Sequence, residues 1–283
     1  MGPAGAHWRC DPSDRPLACH SAGETDVKIR FLGTHQGESR EGRFVSLLID
    51  GTLAIDAGGL AGALSLGEQT KLQALLLTHY HLDHIKDVPT VGFNRMQVDA
   101  LPLPVYAAPE VQRVLLAHLL NGVIWPDLTQ RPSAGSPALR FHTVEDSRPF
   151  GVLDYTVLPM STRHPVPTLG FQIASAEGKS VFYTADTGPA GDLWGRISPD
   201  LLITEVTLSN DQEEVAVRAG HLTANLLHAE LARFRALHGY LPRVRAVHVN
   251  PYQENGIRGE LAIVAQDLGA EIELAAEDSV VEV

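Results

Sequence analysis

An apolar strand runs directly into a cluster of histidines in the first third of this chain. Leu75, Leu76 and Leu77 form a continuous apolar run, which predicts a buried strand. The polar segment Thr78-His79-Tyr80-His81-Leu82-Asp83-His84 follows it without a break. We therefore expect these side chains to fan out from a tight loop at the edge of a sheet.

The residue types in this loop are those that bind metals. Three imidazoles and one carboxylate lie within the six residues from His79 to His84 and supply neutral nitrogen and anionic oxygen, the ligands that Zn²⁺ prefers. His79 and His81 can reach one ion, whereas Asp83 and His84 continue onto the next helix and can reach a second. A solvated histidine-rich loop is the alternative, but the carboxylate within the cluster and the leucine strand before it argue against that reading.

The order of the other predicted elements indicates the fold class. Two strands joined by a turn at Asp50-Gly51 open the folded part, and strands alternate with helices after the histidine cluster. This order predicts an α/β (α+β) fold, in which two mixed sheets lie face to face with helices outside. We predict one domain over residues 27–283, with a proline-rich lid insertion over the site at about residues 94–137.

Residues 1–26 are predicted to be a poorly ordered leader, which holds both cysteines, Cys10 and Cys19. The leader lacks the apolar core of a signal peptide, and the chain has no apolar run of roughly 18 residues that could cross a membrane. The expected location is therefore the cytoplasm, with no membrane partner.

The charge balance bears on the partner. The formal net charge is −12, from 22 Lys and Arg against 34 Asp and Glu. Contacts with the phosphates of long nucleic acid need Lys or Arg to displace counterions, so no long nucleic acid is expected. A small anionic substrate held by metal ions is compatible, because composition does not count the charge of the ions.

The motif HYHLDH resembles the HxHxDH signature of the metallo-β-lactamase fold, a four-layer αββα sandwich of metal-dependent hydrolases. The resemblance covers about residues 27–275. It implies that the remaining ligands follow later strands, where the sequence has His164, Asp186 and His248 in the segments TRHPVP, YTADTG and AVHVNP. A lone histidine is usually a surface or core residue, and Asp186 could be a turn residue, but the order of the three favours ligation.

The resemblance implies two divalent metal ions, zinc by ligand type, with manganese or iron as alternatives. One ion would be bound by His79, His81, His164 and Asp186. The other would be bound by Asp83, His84, Asp186 and His248, with Asp186 as the bridge. Two ions close together suit attack on phosphorus or a carbonyl, because they stabilise the attacking and leaving oxygens together.

Two further segments, LLITEVTLSN and AGHLTA, resemble the family arrangement in which a glutamate on a strand orients a histidine that protonates the leaving oxygen. His221 would be that acid and Glu205 its orienter, while Asp83 is expected to be catalytic as well as a ligand. The alternative is that Glu205 is an ordinary strand carboxylate and His221 a loop residue.

Within the superfamily these segments most resemble the class II 3′,5′-cyclic-nucleotide phosphodiesterases. That family carries a run like Asn121-Gly122-Val123-Ile124-Trp125-Pro126-Asp127 between the metal motif and the next ligand. The resemblance implies hydrolysis of cAMP or cGMP to 5′-monophosphates, with Asn121 and Trp125 as candidate substrate contacts. Trp125 could instead only anchor the lid. A homodimer is left open.

Rival functions share parts of this pattern. An RNase Z-like enzyme has the same Glu and His pair, but it holds tRNA with a glycine-rich basic arm that the sequence does not show. Thioesterases and lactonases of the fold do not need Glu205 with His221. A class B β-lactamase usually has a cysteine in its second site, and a flavodiiron oxidoreductase has a glutamate at the position of His81. A non-catalytic scaffold of this fold would have lost metal ligands, whereas this sequence has all of the expected ones.

Overall fold

The part of the chain described by the structure, a computed structural model, is residues 27–283. The leader predicted over residues 1–26, with Cys10 and Cys19, lies outside the described residues. No helix in the described part is long and apolar enough to cross a membrane.

The described residues form sixteen strands and eight α-helices. The strands are β1 (Lys28–Gly33), β2 (Ser46–Ile49), β3 (Leu53–Ile55), β4 (Ala74–Leu77), β5 (Leu103–Ala107), β6 (Pro132–Ser133), β7 (Ser136–Pro137), β8 (Leu139–Thr143), β9 (Phe150–Val152), β10 (Tyr155–Ser161), β11 (Leu169–Ala174), β12 (Ser180–Tyr183), β13 (Leu201–Glu205), β14 (Arg243–Val247), β15 (Ile272–Leu274) and β16 (Val280–Glu282). The helices are α1 (Leu60–Ala63), α2 (Leu66–Lys71), α3 (Leu82–Ile85), α4 (Val88–Met96), α5 (Pro109–Val114), α6 (Glu213–Ala219), α7 (Ala224–His238) and α8 (Glu254–Leu268). A π-helical turn covers Leu115–Leu119, and 3₁₀ turns cover Gly191–Arg196 and Asn210–Gln212.

Fourteen of the strands form two seven-stranded sheets, in the orders β16-β1-β2-β3-β4-β5-β8 and β15-β14-β13-β12-β11-β10-β9. In the first sheet β1, β2 and β3 are antiparallel, and β3, β4, β5 and β8 are parallel. In the second sheet the strands from β9 to β12 are antiparallel, and those from β12 to β15 are parallel. The C-terminal β16 pairs antiparallel with β1 and forms an edge of the first sheet.

Local sequence explains the hairpin that opens the first sheet. Asp50 and Gly51 have φ angles of 44° and 68°, the positive values that a tight two-residue turn requires. The turn sets the register of β2 on β3, in which Leu47 lies opposite Ile55. The predicted turn is confirmed.

The two faces of the second sheet show why the molecule has four layers. Along β12, Val181 and Tyr183 pack into the core that the two sheets share, whereas Phe182 between them packs with residues of α7 and α8. This alternation follows from the two-residue period of a strand. The buried residues of α8 recur on one face of the helix, from Ile257 to Leu268. The predicted α/β fold, with two facing sheets flanked by helices, is confirmed.

The segment predicted to be a lid, about residues 94–137, needs a correction. It contains β5, which lies between β4 and β8 in the first sheet, with Leu103 and Val105 fully buried. This part belongs to the core, because a parallel strand inside the sheet is covered on both faces. Residues 108–138 connect β5 to β8 outside the two large sheets, and a lid role remains a prediction for residues 115–137, which follow α5.

Candidate metal centre and proton-donor pair

The predicted ligands follow strand ends. His79 comes two residues after β4, Asp186 three residues after β12 and His248 directly after β14. The backbone of His248 is in the left-handed region, with φ of 59°, as is that of Ala185, with φ of 54°, immediately before Asp186. Such values are uncommon outside glycine and turn the chain sharply at the end of a strand.

The structure brings the seven predicted ligands together in two adjoining groups. The first group is His79, His81, His164 and Asp186, and the second group is Asp83, His84 and His248. Within each group the candidate ligand atoms lie within 4.8 Å of one another. Asp186 faces both. Its Oδ2 is 3.7 Å from His79 Nε2 and 3.8 Å from His164 Nε2. Its Oδ1 is 3.3 Å from His84 Nε2 and 3.4 Å from His248 Nε2.

Asp56 orients the candidate ligands that follow β4, and the sequence analysis did not identify it. Its Oδ2 lies 2.7 Å from His84 Nδ1, and its Oδ1 accepts from the Thr78 hydroxyl at 3.0 Å. Thr78 Oγ1 in turn lies 3.0 Å from His79 Nδ1. Each imidazole thus has its Nδ1 engaged and its Nε2 directed at Asp186, as metal-bound histidines usually have. The signal in the sequence was a lone carboxylate directly after the buried strand β3.

Gly220 orients His164 in the same way. The Gly220 carbonyl oxygen lies 3.1 Å from His164 Nδ1. Its φ is +76°, and a Cβ at this position would lie 2.6 Å from Pro165 Cδ. The close approach and the left-handed backbone both require glycine here.

The atoms that face each other in these groups fit a bound cation. His79 Nε2, His84 Nε2 and Asp186 Oδ1 are buried without a hydrogen-bond partner in the described part of the chain. Buried polar atoms rarely lack a partner unless an ion or a water satisfies them. His164 Nε2 and His81 Nδ1 lie only 3.3 Å apart, a distance suited to two nitrogens that share one ion. Five imidazoles and two carboxylates are a donor set for zinc and similar divalent metals.

Electrostatics favour neutral imidazoles in the first group. Burial lowers the pKa of His79 well below its ordinary value, and the neighbouring His84 lowers it further. Burial also lowers the pKa of His81 and of His164. Neutral histidine is the form that binds metal.

Asp186 is held in its anionic form. Burial alone would raise the pKa of this carboxyl, but the neighbouring His248 and His84 outweigh burial and hold the pKa well below its usual range. A carboxylate ionised at all ordinary pH values can offer one oxygen to each group.

Glu205 and His221 form the predicted pair beside these groups. Glu205 is fully buried at the end of β13, and its Oε1 lies 2.7 Å from His221 Nδ1 and accepts from the Thr187 backbone N–H at 2.7 Å. Its Oε2 accepts from the Thr207 hydroxyl at 2.5 Å and from the Leu222 N–H at 3.1 Å. The carboxylate is therefore fully hydrogen-bonded and rigidly placed.

The surroundings of His221 favour its protonated form. Burial alone would lower its pKa, but the Glu205 carboxylate outweighs burial and raises the pKa to about 9. A candidate ligand atom of His221 lies within 4.8 Å of those of Asp186 and His248. Because Nδ1 is engaged by Glu205, the proton available to a ligand in the site is the one on Nε2.

Asn121 and Trp125, the predicted substrate contacts, lie in the segment that leaves the first sheet. The Asn121 Oδ1 accepts from the N–H groups of Val123 and Ile124, each at 2.9 Å, so this side chain shapes its own turn. The Trp125 ring meets Phe93 edge-on with centroids 5.5 Å apart, and its indole N–H is buried without a partner within residues 27–283. A contact of either residue with substrate stays a prediction.

Comparison with known proteins defines the class. Residues 46–249 match the family described as the beta-lactamase superfamily domain, and the chain belongs to this superfamily. With two facing sheets and a histidine and aspartate cluster that can bind metal, it is a hydrolase of the metallo-β-lactamase fold.

Two solved structures have the same fold. The metallo-beta-lactamase fold protein YhfI from Bacillus subtilis is 22% identical, with a TM-score of 0.72 over 92% of this chain and 100% of that chain. Unliganded yeast PDE1 is 17% identical, with a TM-score of 0.76 over 90% of this chain and 99% of that chain. At these identities the likeness shows the fold alone.

The curated relatives include ribonuclease Z of Mycolicibacterium paratuberculosis (strain ATCC BAA-968 / K-10). It is 30% identical over 146 residues, which are 48% of this chain and 49% of that protein. The matched part of the chain spans about half the length of this ribonuclease Z. It spans 46% of the ribonuclease Z of Mycobacterium avium (strain 104) and 21% of an octanoyltransferase of Porphyromonas gingivalis (strain ATCC BAA-308 / W83).

Proposed function

We propose that this hydrolase is a metal-dependent phosphodiesterase that converts 3′,5′-cyclic nucleotides to 5′-monophosphates. The observation that carries the proposal is the Glu205 and His221 pair beside the shared carboxylate of Asp186. A phosphodiester with an alkoxide leaving group needs a proton donor, whereas a thioester or an activated lactone does not.

The two ligand groups would hold two divalent ions, with zinc the metal that suits the donors best. When bound, such ions polarise the phosphoryl group and favour a strong nucleophile at neutral pH. Asp186 would contribute one oxygen to each group. Asp83, whose Oδ2 lies 3.1 Å from His248 Nε2, would accept the proton of an attacking water as well as act as a ligand.

His221 would protonate the leaving oxygen. The water oxygen forms the new bond to phosphorus, the bond from phosphorus to the 3′-oxygen breaks, and the proton on His221 Nε2 passes to that oxygen. Glu205 keeps the imidazole charged and fixes its orientation through the 2.7 Å contact at Nδ1. The product is then the 5′-monophosphate.

Charge supports a small substrate. The chain has a net charge of −12, and residues 115–137 carry one arginine, Arg131, one aspartate, Asp127, and no lysine. Such a segment offers little to the phosphates of a long nucleic acid, because affinity for those phosphates comes from clustered Lys and Arg.

RNase Z-like processing of tRNA is the second candidate. The observation that favours it is the 30% identity to the ribonuclease Z of Mycolicibacterium paratuberculosis. Cleavage of RNA would use the same metal groups and the same proton donor, so the two candidates differ in the substrate and not in the chemistry of the site.

The test is a panel of substrates on zinc-loaded full-length protein. We would incubate it with cAMP, cGMP, bis(p-nitrophenyl) phosphate and a precursor tRNA, identify the products by chromatography and sequencing gels, and use Asp186→Ala as the inactive control. The proposal expects 5′-AMP or 5′-GMP. Cleavage of the precursor tRNA with both cyclic nucleotides untouched would replace it with the second candidate.

A further inference from the structure

The hydroxyl of Thr207 lies between the proton-donor pair and the second group of metal ligands. Thr207 is fully buried two residues beyond Glu205. Its Oγ1 lies 2.5 Å from Glu205 Oε2, 2.8 Å from His248 Nδ1 and 3.3 Å from His221 Nδ1. One oxygen atom therefore contacts a ligand, the proton donor and the carboxylate that orients the donor.

The donors and acceptors fix the direction of these hydrogen bonds. An ionised carboxylate only accepts, so the single hydroxyl proton of Thr207 goes to Glu205 Oε2. The lone pairs of Thr207 Oγ1 are left to accept the Nδ1–H of His248. A neutral histidine with its proton on Nδ1 has its lone pair on Nε2, the atom that faces Asp83 at 3.1 Å and Asp186 at 3.4 Å. Thr207 thus selects the tautomer in which His248 can bind a metal.

We propose that Thr207 is a positioning residue that couples the orientation of the ligand His248 to that of the proton donor His221. The coupling passes through one hydroxyl and the Glu205 carboxylate. The part that concerns His221 rests on the proposed function, whereas the part that concerns His248 depends only on metal binding. Loss of the hydroxyl leaves the His248 Nδ1–H and one Glu205 oxygen without their partner, and both imidazoles gain freedom to rotate.

Thr78 provides a matched control. Its hydroxyl makes the same kind of bridge in the other part of the centre, from the Asp56 carboxylate to His79 Nδ1, at 3.0 Å on each side. No hydrogen bond joins Thr78 to Glu205 or His221 within residues 27–283. Loss of this hydroxyl should weaken metal binding without disturbing the proton donor.

The experiment compares Thr207→Val, which keeps the shape, with Thr207→Ser, which keeps the hydroxyl, and with Thr78→Val. Zinc affinity is measured by competition with a chelating dye. The ring N–H resonances of His221 and His248 are followed by ¹⁵N NMR. Hydrolysis rates are measured with cAMP and with bis(p-nitrophenyl) phosphate as substrates. Both valine variants should bind zinc ~10–100-fold more weakly. Only Thr207→Val should shift the Nδ1–H resonance of His221 and lower the ratio of the cAMP rate to the bis(p-nitrophenyl) phosphate rate. Thr207→Ser should stay close to the wild type.

Unchanged zinc affinity in Thr207→Val would overturn the proposal, as would a serine variant as impaired as the valine variant. An unmoved His221 resonance in Thr207→Val would also refute the coupling. If the wild-type protein hydrolyses neither substrate, the proposed function fails. The zinc affinities and the two ring N–H resonances still decide the role of Thr207 in that case.

Discussion

Replacing His221 by alanine should slow the hydrolysis of cAMP far more than that of an activated phosphodiester. The bond that breaks in cAMP leaves a ribose alkoxide, which must gain a proton as it departs. His221 has its Nδ1 engaged by Glu205 at 2.7 Å and a pKa raised to about 9, so it can supply that proton from Nε2. General-acid catalysis typically contributes ~10²–10⁴ in rate, which is about 3–5 kcal/mol of activation free energy.

The assay compares kcat/KM of the wild type and His221→Ala on cAMP and on bis(p-nitrophenyl) phosphate, with the zinc content measured on the same samples. The second substrate should lose much less, because p-nitrophenolate departs without a proton. His228→Ala is the control, since His228 lies on α7 and pairs with Asp267 at the surface. Equal losses on both substrates at full zinc content would refute the reasoning and make His221 a phosphate-binding or structural residue.

Three further predictions concern the two groups of candidate metal ligands, residue Trp125 in the segment 115–137, and the charged histidine His35. Asp186→Ala should lower the zinc content of both groups, whereas His79→Ala should lower mainly that of the first group, as elemental analysis and zinc titration would show. Equal zinc losses in the two variants would contradict the bridging role of Asp186. Trp125→Ala should raise KM for cAMP and leave bis(p-nitrophenyl) phosphate nearly unchanged, whereas equal losses would leave Trp125 a packing residue. The Glu277 carboxylate raises the pKa of His35 above 6.5, so the charged imidazole stabilises the fold below that pH, and the contribution is lost as the pH rises through the raised pKa. The difference in Tm between wild type and His35→Gln should therefore shrink from about pH 6 to about pH 9, and a constant difference would disprove the ionic contribution.

The local features of this molecule could be predicted from the sequence. The apolar run of β4 and the turn at Asp50-Gly51 each depend on the pattern within a few residues, and the structure has both. His79 could also be predicted as a candidate ligand from local sequence, because its neighbours along the chain are themselves potential ligands. His164 and Asp186 could be named only because a resemblance supplied their order, as neither has another histidine or carboxylate within five residues along the chain.

Tertiary structure alone decided how these residues meet. The two oxygens of Asp186 face different ligand groups, and His248 reaches Asp83 across 165 positions in sequence, a contact that no local pattern encodes. Asp56 and Thr207 escaped the sequence analysis because each acts through a histidine far along the chain, 28 positions away for His84 and 41 for His248. The physical reason is that periodicity and propensity report which face of an element is buried, whereas the hydrogen-bond partner of a buried polar group is set by how the sheets and loops are assembled.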